Sequence, residues 1–310
     1  MADVQQISQE QQPKKKYDRY IKEFMDYCSK KNTIRFINRL YGTDFPLDSK
    51  VEKLATESSY DGEERRSDFM IKVGTRVFHI EVESRYENSD DVEMIFRMFE
   101  YGFRNAYASR TADESGTLSM KFPTPLVIYL RSNDKTPSSF TVNLEIPGNE
   151  NVSFDVPVKK LSDYTPEMLI DGNLYALALF YPLKYEAMLR KKHTSEDELE
   201  FLKSATSIID RVIAENAAGE ISAVECILIL SGFEDIFRRV VDKAEILERK
   251  EVDGFMENIS TQYAFKETHL LEEGKLKGIV DTAHEMKQDN MPLEKIQKYT
   301  KLPLEVIMAL

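Results

Sequence analysis

The chain has no tryptophan and only two cysteines, Cys28 and Cys226, among its 310 residues. Two distant thiols exclude a disulfide-stapled scaffold and suit a reducing, cytoplasmic setting. Histidine is scarce too. His79, His193, His269 and His284 are scattered and have no cysteine nearby, so a zinc site is not expected. No apolar run approaches the ~20 residues that span a bilayer. The most apolar stretch, Leu174 to Leu183, is interrupted at Pro182. The opening segment through Lys16 is polar and Gln-rich, with no apolar run behind its charges, so neither a signal peptide nor a membrane anchor is expected. Positive charge is in deficit as well: 42 Lys and Arg stand against 54 Asp and Glu, for a net charge of −12. Such a chain does not coat nucleic acid through a global field; any contact with DNA needs a local basic patch.

What is present is a core. Hydrophobic residues make up 42% and charged residues 31%, the balance of a soluble globular protein. The length suits one large domain or two modest ones.

The most informative stretch runs from Arg66 to Asn105 and reads as a hairpin followed by a helix. Phe69, Ile71 and Val73 alternate with Asp68, Met70 and Lys72; Phe78, Ile80 and Val82 alternate with His79, Glu81, Glu83 and Arg85. Period-two alternation predicts strands with one buried face. Gly74-Thr75 between them predicts a two-residue type II′ turn. That turn pairs Val73 with Arg76, and counting back sets Asp68 opposite Glu81 on one face. Directly opposed side chains have Cβ atoms about 4.5–5.5 Å apart, where like charges destabilise. Either a hard divalent cation such as Mg²⁺ lies between them, or both acids are solvated on an open face with Arg66, Lys72 or Arg76 as partners.

Asp68, then Ile80-Glu81-Val82-Glu83-Ser84, then a helix carrying Asp91, Met94, Arg97-Met98 and Tyr101, resembles the PD-(D/E)XK phosphodiesterase superfamily. More narrowly it is similar to the recombination-promoting nuclease/transposase family. The resemblance implies an α/β fold: a restriction-endonuclease-like core with a mixed central β-sheet flanked by helices, followed by an all-helical C-terminal region. It implies a Mg²⁺- or Mn²⁺-dependent DNA endonuclease in which Asp68, Glu81 and the carbonyl of Val82 hold the metal. Glu83 departs from the pattern, since the superfamily has Lys there and this branch Gln. It leaves an alternative: a catalytically inactive nuclease fold that binds DNA or protein. A "D…FK" string on the first helix makes Asp18 and Lys22 auxiliary candidates, and Glu23 a weaker one. The "RM…Y" string does the same for Arg97 and Tyr101. Spacing alone makes Arg97 an i,i+4 partner of Glu93, as Arg104 is of Glu100.

The remaining expectations follow chain order. Residues 1–13 read as a disordered tail and 14–192 as the nuclease-like core. Helices are expected over Tyr17–Lys31 and Thr33–Tyr41, and strands over Val51–Tyr60, Pro125–Arg131, Phe140–Ile146 and Val152–Val158. Between them the helix from about Asp91 to Ser109 should bury Val92, Ile95, Phe96, Phe99 and Phe103. A strand, that helix and the apolar strand after it form a βαβ unit. Thr165 should cap a helix beginning at Pro166, and Leu174–Arg190 should follow. Residues 193–289 read as a helical region, with helices over 196–217, 220–231 and 233–286, the last long, charged and able to support a homo-oligomer. Residues 290–310 contain a near repeat, Met291 to Ile296 and Leu302 to Ile307, read as a small helix–turn–helix-like appendage for packing or oligomerisation.

Overall fold

A computed structural model describes residues 14–54, 57–60, 63–66, 69–148, 151–191, 193–244, 250, 252–259, 261, 279, 282–289, 291–300 and 304–309. The protein is α/β. Helix α1 (Lys14–Tyr27) buries Tyr17, Tyr20, Ile21, Phe24 and Met25. The chain then breaks at Ser29, whose hydroxyl accepts from Asn32 N and caps α2 (Lys30–Tyr41). Gly42 ends α2 in the left-handed conformation, φ 63°, which glycine adopts without a Cβ penalty.

Strands β1 (Val51–Leu54), β4 (Phe69–Val73), β5 (Arg76–Glu83), β8 (Thr124–Tyr129), β9 (Ser139–Leu144) and β10 (Val152–Lys160) form a six-stranded mixed sheet in the order β1-β4-β5-β8-β10-β9. The predicted 51–60 strand is divided. Its second part, β2 (Glu57–Tyr60), pairs with β3 (Glu63–Arg66) in a separate ribbon that matches Glu57 with Arg66. Another small hairpin joins β6 (Thr111–Ala112) to β7 (Leu118–Ser119).

The β4–β5 register is the expected one, from Val73↔Arg76 to Phe69↔Ile80. Gly74 has φ 60° while Thr75 stays negative, as a type II′ turn requires. Helix α3 (Asn88–Ala108) connects β5 to β8, its parallel neighbour, and β10 continues the parallel block.

Two expectations about this region are corrected. First, the hairpin is covered on both faces: His79, Glu81 and Met70 are as buried as Phe78, Ile80 and Ile71. Second, α3 is rotated from the expected facing. Met94, Met98, Tyr101 and Ala106 face inward, Met94 and Met98 against Val127, Tyr129, Val156 and Val158. Of the five residues expected inside, Ile95 and Phe99 are partly buried, whereas Val92, Phe96 and Phe103 are exposed, Phe96 at 65%.

After β10, Thr165 caps α4 (Pro166–Ile170) by accepting from Met168 N. The helix expected over Leu174–Arg190 is two, α5 (Tyr175–Ala178) and α6 (Leu183–Leu189), separated around Pro182. A capping box between Thr194 and Asp197 opens α7 (Ser195–Ala217). Helix α8 (Ala223–Ala244) runs unbroken through Gly232, where a break was expected. A side chain there would come against Tyr20 and Leu179. Helices α7 and α8 pack on one another and on α1, α4, α5 and α6, within a compact unit that extends to Met256. That compact unit therefore runs past residue 192.

The second unit, from Glu257 onward, contains the helices Leu293–Thr300 and Leu304–Ala309. Ile296 and Ile307, equivalent positions of the sequence repeat, are both fully buried and cluster with Ala283. Much of the expected 233–286 helix, including Gly274 and Gly278, lies outside the described residues. No helix among the described residues is long and apolar enough to cross a membrane.

Candidate active site

On β5 the side chains of His79, Glu81 and Glu83 share the face that α3 covers. The His79 ring meets Tyr101 of α3 edge-on at 6.1 Å, and Glu83 Oε1 lies 3.9 Å from Arg97 Nη2 on the same helix. Glu81 is 6% exposed and its Oε1 is 3.0 Å from His79 Nε2. An ionised carboxylate only accepts, so Glu81 in that form takes this hydrogen bond from Nε2–H. The histidine holds Glu81 in one orientation and offsets part of the cost of burying it.

Burial excludes the open-face account, in which Glu81 is simply hydrated. Arg66, one of the cations named as a partner, belongs to β3, where the backbone register matches it with Glu57. Lys72 is committed elsewhere: its ammonium lies 3.6 Å from Glu52 across the β1–β4 ladder. Arg97 is found beside Glu83 rather than in the expected Glu93 pair, whereas Arg104 does pair with Glu100, at 2.6 Å.

Val82 is buried in the parallel ladder opposite Ile128. Leu130 N donates to the carbonyl of Glu83, which therefore points toward β8. Carbonyls alternate along a strand, so the Val82 carbonyl points to the β4 side, past the β4 residue Phe69. Asp68, the other acid of the predicted pair, lies outside the described residues. Asp18 sits on α1, but its side chain is not described; Lys22 on the same helix is half-buried and engaged. Glu23 is exposed. Among the described residues no group of three His, Cys, Asp or Glu is placed to hold a metal ion.

Asp91, part of the motif string, is a clasp. Its Oδ1 accepts from Tyr129 OH at 2.5 Å and its Oδ2 from Glu87 N at 2.6 Å, tying the start of α3 to β8. Burial, and then the Asp91 hydrogen bond, push the Tyr129 hydroxyl far above its ordinary value, so it stays a donor. His79 and Tyr129 were missed from sequence. For His79 the available signal was its i,i+2 spacing to Glu81 on a strand, which places both on one face.

Beyond the carboxyl end of β5 lies an ion network. Arg131 donates to Glu186, to Ser84 Oγ at 2.9 Å and to Tyr17 OH at 2.8 Å, while its guanidinium lies over the Tyr17 ring. Glu186 also receives Lys243 at 3.1 Å. Burial alone would raise the Glu186 carboxyl, but Arg131 and Lys243 outweigh it and hold it below the usual range.

Comparison with protein-family models, curated proteins and solved structures returns no match for this chain.

Proposed function

We propose that the protein is a Mg²⁺- or Mn²⁺-dependent DNA endonuclease with a restriction-endonuclease-like core, of the recombination-promoting type. One observation carries this reading. Glu81 is buried and oriented by His79 on β5, in a hairpin that has the register from which counting back along the sequence gives the expectation of Asp68 as its partner. The donor set suits a hard cation: Asp68, Glu81 and the Val82 carbonyl offer only oxygen. A bound metal would polarise the scissile phosphate and lower the pKa of a coordinated water.

The chain's own residues do the rest. His79 fixes the carboxylate of Glu81. Glu83, half-buried at the end of β5, would accept a proton from the attacking water. Arg97 brings to Glu83 the positive charge that the superfamily's lysine would otherwise supply.

Nicking of plasmid DNA with Mg²⁺ or Mn²⁺, comparing wild type with Asp68→Ala and Glu81→Gln, tests the reading. Loss in both variants is expected. Equal nicking by wild type and Asp68→Ala overturns it.

A second reading is favoured by Glu83 itself: the fold without the activity, kept as a DNA- or protein-binding module. Metal-independent binding with no cleavage under either metal would select it.

A further inference from the structure

Strands β5, β8 and β10 run parallel, and their carboxyl ends meet at one edge of the sheet. Arg85 follows β5, Arg131 and Ser132 follow β8, and Ser162 follows β10. Helix α6 and the turn after it close the space with Lys184 and Arg190, around a cavity of about 230 Å³. At ~30 Å³ per water, this holds a phosphate group with several waters. In open α/β sheets the crevice outside the carboxyl ends of the strands is where ligands bind.

Four cations line this cavity, with Glu186 the one acid among its lining residues. That acid is already shared by Arg131 and Lys243, so it subtracts little from the field. Arg131 is held rigidly by its three partners, whereas Arg85 and Arg190 are exposed. The hydroxyls of Ser132 and Ser162 are hydrogen-bonded to one another at 2.7 Å, and Ser162 Oγ lies 3.4 Å from Asp163 Oδ1, so at most one proton of the pair is turned to a ligand in this arrangement. In a chain of net charge −12, this is a local concentration of the opposite sign.

We infer that this cavity is a binding site for a phosphate group, held by the Arg85 and Arg190 guanidinium groups, with Arg131 and Lys184 supplying fixed positive charge and the Ser132–Ser162 hydroxyl pair offering one further donor. The charge count favours a dianion over a carboxylate. Guanidinium forks match the oxygens of such a group in pairs. The site does not depend on the metal reading of Glu81. The phosphate could belong to a free anion or to a nucleic-acid end, and the chemistry is the same.

The test is calorimetric titration of the full-length protein with inorganic phosphate in EDTA. Saturable binding at one site is expected, weakened about tenfold or more in the double variant Arg85→Ala/Arg190→Ala. Both positions are exposed, so the variant should fold, and its unfolding midpoint checks this. No binding by wild type up to about 10 mM phosphate, or equal binding by the folded double variant, overturns the proposal. A 5′-phosphorylated oligonucleotide that displaces phosphate better than its 5′-hydroxyl twin identifies a nucleic-acid source; no displacement identifies a free anion. Glu81→Gln should bind phosphate as wild type does, so loss of cleavage and loss of this site are separable.

Discussion

Arg97 reaches from α3 to Glu83 on β5, Nη2 to Oε1 at 3.9 Å, where spacing along the helix had matched it with Glu93. The contact couples the helix to the strand that carries the candidate acids. The arginine side chain is 41% exposed, so the pair should contribute only about 0–1 kcal/mol to stability. Under the nuclease reading its value lies in the reaction. Arg97→Ala should lower kcat for DNA nicking by roughly 10²–10³-fold, with little change in unfolding midpoint and partial rescue by Arg97→Lys. Unchanged kcat would remove Arg97 from the site.

The orientation of α3 predicts a contrast between two neighbouring apolar residues. Met98 is 3% exposed and packs on the sheet, whereas Phe96 is 65% exposed. Met98→Ala should cost about 2–5 kcal/mol in urea unfolding. Phe96→Ala should stay within about 0.5 kcal/mol. A reversed order would mean that the helix presents its other face to the sheet.

Glu186 predicts the sign of an acid response. Its ordinary value is 4.5; burial would raise it, and Arg131 and Lys243 bring it below that. A carboxyl depressed in the folded state contributes stability that is complete above its unfolded value and disappears as pH falls through the folded one. Between about pH 5 and pH 3, wild type should therefore lose more stability than Glu186→Gln. Thermal melts across that window decide it, and parallel acid limbs would contradict the assignment.

The two cysteines predict an inert protein toward thiol reagents. Cys226 is fully buried, and burial pushes the Cys28 thiol up to about 12. Only the thiolate attacks. An aromatic disulfide reagent at about pH 8 should label neither cysteine rapidly in the native protein and both after denaturation. A fast native phase would contradict the burial of one of the two.

The hairpin was legible because everything that determines it is local: Gly74 supplies the positive φ, and strict alternation pins the register. Thr165 was legible as a cap for the same reason. The facing of α3 was not. Nearly all of its circumference apart from a Glu93–Arg97–Glu100–Arg104 flank is apolar, so counting hydrophobic positions favoured the aromatic stripe. The face actually buried includes Asp91, whose link to Tyr129 no periodicity reveals. Helix α8 passes through Gly232 because neighbouring side chains pack against it there, a tertiary effect. The basic cavity was invisible because Arg85, Arg131, Lys184 and Arg190 come from segments that only the parallel crossovers gather.

That parallel block also sets an order of assembly. The β4–β5 hairpin closes through a two-residue turn, but β8 and β10 reach their neighbours only across long connections, and such distant pairings form slowly. During synthesis the N-terminal part emerges first. A growing chain thus acquires Glu81, Glu83 and Arg85 together and Lys184 and Arg190 only about a hundred residues later, and a fragment ending ahead of α6 would carry both acids with that cavity half built.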